Sequence, residues 1–175
     1  MIIGPSGSGK TTSLEHLDPK LTFYIDADGK GLSWKGWRNQ YNKANKNYFV
    51  CDDPNSIYSL MQQINDKQKQ IKYLVIDTLN GCMVADEMRR AKEKAYDKWM
   101  DLAQSVYSIV DFSNKMRDDL TVILIGHTQT SDDGLPVVAP CQLNLELIHC
   151  GSAKDCESRG VCDECRREFW MQEVT

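Results

Sequence analysis

Short apolar runs alternate along the chain with longer stretches in which apolar residues recur every three or four positions, the signature of strands feeding helices. Met1 to Ile3 is a brief apolar run ahead of a glycine-rich turn, and Thr11 to Leu17 reads as a helix stopped by Asp18-Pro19. Leu21 to Ile25 reads as a strand. Asp53-Pro54 has the form of a helix start, an N-cap followed by proline, with Ile57, Leu60, Met61 and Ile64 recurring behind it at helical spacing. Tyr73 to Ile76 is continuously apolar, as in a strand covered on both faces. A long helical region follows, with Trp99, Leu102, Ala103, Val106, Ile109 and Val110 in one stripe, and Leu120 to Ile125 is a further buried strand. The alternation predicts an α/β fold, a mostly parallel sheet flanked by helices with right-handed crossovers.

From Gln142 the period changes. Leu143, Leu145 and Leu147 alternate with Asn144 and Glu146, which reads as a half-exposed strand, and Phe169 to Val174 reads as its partner. The expected organisation is therefore a core over 1–140 and a hairpin-like appendage over 141–175. Five of the seven cysteines fall in that appendage. Cys150, Cys156, Cys162 and Cys165 lie within sixteen residues, with His149 beside them, and four such thiolates would close a structural Zn²⁺ site whose binding energy folds a polar tail. Only Cys162 to Cys165 has knuckle spacing, and free thiols on an irregular tail are the competing reading.

At 175 residues one core is expected to bury about 70% of the unfolded chain's surface without help from disulfides. The longest apolar stretches, such as Val122 to Ile125, are far short of the ~20 residues of a membrane span, and no basic-then-apolar signal region opens the chain. These features predict a cytosolic protein with no membrane partner. The net charge of −4 argues against a protein that coats nucleic acid by bulk electrostatics. A local exception is Lys30 to Phe49, where Lys30, Lys35, Arg38, Lys43 and Lys46 alternate with Trp34, Trp37, Tyr41, Tyr48 and Phe49 and no acid intervenes. Cations along a backbone with rings beneath the bases is the combination that serves single strands, which makes Trp34, Lys35, Trp37, Arg38, Tyr41 and Lys43 the nucleic-acid candidates. The competing reading is a crossover whose aromatics pack onto the sheet. Arg89, Arg90, Lys92, Lys94 and Lys98 form another basic run, but Glu87, Glu93 and Asp97 interrupt it, as on a salt-bridged helix face.

The strongest chemical signal is Gly4-Pro5-Ser6-Gly7-Ser8-Gly9-Lys10-Thr11, which fits the phosphate-loop pattern at every fixed position, with Thr12 opening the following helix. Glycines let successive N–H groups converge on phosphate oxygens, Lys10 reaches the β- and γ-phosphates, and the Thr11 hydroxyl ligates Mg²⁺. Such a loop needs a carboxylate on a neighbouring buried strand, and Tyr73-Leu74-Val75-Ile76-Asp77 ends in one. Asp77 is accordingly the Walker B candidate, against the plainer reading of a strand-ending helix cap. No guanine-reading motif is present, so ATP is the expected nucleotide. Asp26 and Asp28 leave the strand before them as two carboxylates, either of which could polarise water, and His127 ends the last core strand, as a phosphate sensor or as a structural hydrogen-bonder.

Together these residues resemble the RecA-like branch of P-loop ATPases, most closely the small phage-encoded ATP-binding proteins of recombination and single-strand annealing. The resemblance runs over about residues 1 to 130 through GPSGSGKTT, FYIDADGKG, YLVIDTLNG and ILIGHTQ in RecA-like order. It implies ATP hydrolysis with the water-activating position on Asp28, where the family more often has Glu, and the γ-phosphate sensor on His127, where it often has Gln. It further implies ATP-dependent homo-oligomers on single-stranded DNA in the host cytoplasm. Thr128 to Pro140, where the family places a DNA loop, holds Asp132 and Asp133 and no cation. The very short first strand reads as a chain that begins later than its relatives do. A small-molecule or nucleotide kinase shares the loop and core but needs an arginine-bearing lid, which the segment after His127 lacks. An ATP-gated interaction module without turnover fits Asp at the Glu position.

Overall fold

A computed structural model describes residues 1–93, 97–130 and 136–139. The strands are β1 (Ile2–Gly4), β2 (Thr22–Asp26), β3 (Tyr48–Val50), β4 (Tyr73–Asp77), β5 (Thr121–Thr130) and β6 (Pro136–Ala139). The helices are α1 (Trp37–Gln40), α2 (Pro54–Lys67), α3 (Leu79–Arg89) and α4 (Asp97–Ser113). The first five strands pair in parallel in the order β1-β5-β4-β2-β3, and β6 adds to β5 in antiparallel fashion. This is the α/β architecture expected from the alternating pattern. The placing of β5 between β1 and β4 brings the ends of all three strands to one sheet edge, with Gly4 opposite His127 and Asp77 opposite Ile125.

The central strands are buried on both faces, and each face has its own core. Phe23, Ile25, Leu74, Ile76 and Leu124 pack against Ile57, Met61 and Ile64 of α2, Cys82 of α3 and Ile109 of α4. Tyr24, Val75 and Ile125 point the opposite way, as the two-residue side-chain period of a strand requires, and meet Leu14, Leu32, Trp34 and Tyr41.

Several elements differ from expectation. Where a DNA loop was expected over Thr128 to Pro140, β5 continues to Thr130 and pairs in antiparallel fashion with β6. The basic-aromatic segment holds the short helix α1. Thr11–Leu17 is not an α-helix but a 3₁₀ turn at Thr12–Leu14, with bonds spaced by three residues: Leu14 to Thr11, Glu15 to Thr12 and Leu17 to Leu14. Ser13 Oγ donates to Lys10 O at 2.7 Å, so this hydroxyl competes with the helical ladder, and Asp18-Pro19 stops any extension. The helical region after β4 is two helices rather than one. A further difference is β3, an edge strand that the basic-aromatic segment did not announce.

The predicted cap at Asp53 is observed: its carboxylate accepts from Ser56 N at 2.8 Å with Pro54 at the first helical position. The Ser56 side chain, helped by this backbone bond and the nearby Arg89 charge, holds the Asp53 carboxyl below its ordinary range. A depressed folded-state pKa stabilises the fold above the unfolded value and is lost as pH falls through the folded one. Asp53→Ala is therefore expected to lower unfolding free energy by about 1 kcal/mol at neutral pH. In urea titrations its difference from wild type should shrink below about pH 4.

Candidate functional site

The turn after β1 is built on glycines with left-handed backbone. Gly7 has φ 77° and Gly9 φ 86°, and a Cβ at either would meet nothing within 4 Å, so backbone twist rather than crowding requires glycine here. Lys10 is buried and folds back over the loop, donating from Nζ to Gly4 O at 2.8 Å and Pro5 O at 2.7 Å. The same Nζ lies 3.3 Å from His127 Nδ1. His127 is held from below, because its backbone N–H donates to Asn80 Oδ1 at 2.7 Å.

Thr11 Oγ1 donates to Asp77 Oδ2 at 2.7 Å, so the loop hydroxyl and the strand-end carboxylate of the metal hypothesis are in direct contact. Tyr24 also donates its hydroxyl to Asp77 Oδ2, at 2.5 Å. Burial, reinforced by the Asp77 charge, pushes the Tyr24 phenol far above its ordinary value, which keeps it a donor.

The two carboxylates after β2 separate into different environments. Asp26 is buried and accepts from Gly29 N at 2.8 Å, Gly31 N at 2.7 Å and the Tyr48 hydroxyl at 2.5 Å, so it ties down the turn that follows it. Burial and the bond to Asp26 push the Tyr48 phenol upward as well. Asp28 lines the cleft. It accepts from Lys30 Nζ at 2.6 Å and from the Thr78 hydroxyl at 3.1 Å. Thr78 in turn caps α3, its Oγ1 accepting from Gly81 N at 3.1 Å.

The phosphate loop from Ser6 to Thr12 lines a cleft of ≈ 280 Å³ together with Asp28, Asp77 and His127. Its residues fit a nucleotide with Mg²⁺: a lysine at the mouth of a glycine loop, and a hydroxyl paired with a carboxylate, the hard oxygen donors that magnesium prefers. Sequence reasoning missed Tyr24, Thr78, Asn80 and Gly81. Of these only Thr78 carried a signal, as a helix cap following a buried strand.

The nucleic-acid candidates divide. Trp34 and Tyr41 are 6% and 1% exposed and pack beneath the sheet with ring centroids 6.0 Å apart, which corrects their reading as a base-stacking surface. Their apolar area is worth more against Tyr24 and Val75 than in water. Trp37 is half-buried on Tyr48 with the Arg38 guanidinium 4.6 Å over its ring, while Lys35, Arg38 and Lys43 are exposed. Arg89 pairs with Asp52 at 2.9 Å and Arg90 with Glu93 and Asp101 at 2.8 and 2.9 Å, as on the salt-bridged face expected there. Cys150, Cys156, Cys162 and Cys165 lie outside the described residues, as does the hairpin read for the tail. Among the described residues no cluster of three or more His, Cys, Asp or Glu could hold a metal, and no helix is long and apolar enough to cross a membrane. Burial raises the thiols of both described cysteines, that of Cys82 up to about 12, so each is a packing group rather than a thiolate.

A phosphate loop, a hydroxyl–carboxylate pair and a polar cleft at the carboxyl edge of a parallel sheet define a P-loop nucleotide-binding protein. Within that class, a family model described as an AAA domain matches residues 1–144, and the chain belongs to this family. Membership carries nucleotide binding and ATPase-type chemistry, usually with Mg²⁺. No curated protein matches the chain.

Gly81 marks how closely α3 approaches the cleft: a Cβ there would stand 2.1 Å from Asp28 Oδ1 and 2.9 Å from Ala27 O. Helix propensity alone favours alanine by about 1 kcal/mol. The overlap with a fixed carbonyl should reverse that sign, and Gly81→Ala is expected to cost about 1 to 3 kcal/mol in urea unfolding.

Proposed function

We propose that this protein binds ATP with Mg²⁺ and hydrolyses it as a RecA-like ATPase acting in recombination or annealing on single-stranded DNA. The observation that carries the reading is the Thr11–Asp77 contact at 2.7 Å beside Lys10, which joins both oxygen donors of a Mg²⁺–nucleotide site to the phosphate loop. Lys10 would meet the β- and γ-phosphates, Thr11 and Asp77 would hold the metal, and His127, 3.3 Å from Lys10, would face the γ-phosphate. A Mg²⁺ ion held by Thr11 and Asp77 would supply charge to offset what gathers on the phosphate oxygens. Asp28 would hold the attacking water: its oxygen bonds to the γ-phosphorus while the β–γ bridging bond breaks and ADP leaves, the proton passing through Asp28 to solvent.

Support for DNA lies in the exposed cations Lys35, Arg38 and Lys43. With Trp34 and Tyr41 in the core, contact would run mainly through the phosphate backbone and be strongly salt-dependent. Assembly of several copies on the strand belongs to the same reading. A second reading, an ATP-gated module without turnover, is favoured by one observation: both Asp28 oxygens are engaged, one by Lys30 and one by Thr78.

Steady-state phosphate release with and without single-stranded DNA separates the two. DNA-stimulated release supports the first reading, and tight ATP binding without release supports the second. Lys10→Ala is expected to weaken ATP binding by 100-fold or more, on the order of 3 kcal/mol, and unchanged affinity would refute the site. Replacing Lys35, Arg38 and Lys43 together by alanine should abolish DNA stimulation while leaving ATP affinity within about twofold, and should lower the slope of log affinity against log salt by about 2.

A further inference from the structure

Tyr24 is 1% exposed, yet its hydroxyl is directed at a carboxylate rather than at a backbone carbonyl. Parallel register sets Tyr24 opposite Val75, so its hydroxyl reaches diagonally to Asp77, two residues further along the same face of β4. The ring has little freedom there. Tyr41 meets it edge-on at 5.8 Å, Tyr48 stacks at 6.3 Å, and Trp34 closes on Tyr41 from the far side. Packing thus fixes the phenol oxygen, and that oxygen and Thr11 Oγ1 converge on one atom, Asp77 Oδ2, at 2.5 and 2.7 Å. A strand-end carboxylate with no such partner would rotate about its terminal bond and would have to be ordered when a metal arrives.

We propose that Tyr24 is a positioning residue for the metal site: its hydroxyl, locked by the aromatic stack, holds the Asp77 carboxylate beside Thr11 in the orientation that takes up Mg²⁺ with the nucleotide. This rests on Thr11 and Asp77 being the Mg²⁺ donors. Tyrosine is needed for its oxygen, since phenylalanine would fill the same core volume. Outer partners of metal-binding carboxylates change metal affinity by about 10- to 100-fold, which sets the scale of the effect.

The test is equilibrium binding of mant-ATP to the full chain, titrated with Mg²⁺ from an EDTA baseline. Tyr24→Phe is expected to leave affinity in EDTA within twofold of wild type and to raise the half-saturating Mg²⁺ concentration about tenfold or more. Tyr41→Phe removes a hydroxyl from the same stack, one that donates to Leu17 O at 3.4 Å, and should leave Mg²⁺ half-saturation unchanged. In an Asp77→Asn background Tyr24→Phe should cause no further loss, the mark of a residue acting through Asp77. An unaltered Mg²⁺ titration for Tyr24→Phe, with wild type responding normally, overturns the inference alone. A wild type whose ATP affinity ignores Mg²⁺ overturns the Thr11–Asp77 reading and the inference with it. If Tyr24→Phe does not fold, 3-fluorotyrosine labelling of the wild-type sequence replaces it: a shift of the Tyr24 ¹⁹F resonance on adding Mg²⁺ to nucleotide-loaded protein supports the inference, and no shift overturns it.

Discussion

The carboxylate of Asp77 is where the structural and chemical demands on this fold meet. It ends a strand that is apolar on both faces, and a charge in that position is stable only where hydrogen-bond donors surround it. One donor, Thr11, comes from the phosphate loop, and the other, Tyr24, comes from the neighbouring strand. The register of β1, β5, β4 and β2 is what brings both within reach, so a slip of one residue in any of these pairings would turn Asp77 away from the loop. Sheet order and site geometry are in this sense one constraint.

That constraint explains the composition of the opposite face. A phosphate loop normally hands over to a helix that covers the sheet, but here Thr12–Leu14 forms only a 3₁₀ turn, and Leu14 is its sole buried side chain. The uncovered area falls to the segment from Leu32 to Tyr48, which has no room for a long helix and fills the gap with large rings instead. Trp34 and Tyr41 bury fully, and Trp37 and Tyr48 partly. Aromatic density that reads as a binding surface along the chain is thus a roof in three dimensions. The cations between these rings remain outside.

The same residues show what could be read from the sequence and what could not. The phosphate loop, the Asp77 strand and the Asp53 cap were legible because each is local: a handful of adjacent positions whose backbone chemistry admits few alternatives. β2, β4 and β5 were legible because strands buried on both faces have no polar face to confuse the pattern. The Thr11–Leu17 helix was misread because its side-chain hydroxyls, of which Ser13 bonds back to the main chain and Thr11 and Thr12 bond to Asp77 and Ser33, do not show in a count of apolar spacing. Tyr24 was invisible for a different reason. Its importance comes from a partner 53 positions away, and nothing in Phe23-Tyr24-Ile25 distinguishes a phenol that packs from one that holds a carboxylate.

Asp26 and Asp28 carry the last step. As a sequence they are two equivalent carboxylates leaving one strand, either of which could act on water. Folded, they differ in what their oxygens already do. Asp26 accepts two backbone N–H groups and a phenol, a set that gives it the work of a bolt on the Gly29–Gly31 turn. Asp28 lines the same cleft but is held by the hydroxyl of Thr78 and the exposed ammonium of Lys30, one fixed partner and one that can leave. An exposed ion pair of this kind contributes less than about 1 kcal/mol, so its exchange for a water or a phosphate is within the reach of ordinary ligand contacts. Both carboxylates line the cleft, but Asp28 is the one with an exposed partner that a bound nucleotide or water could displace.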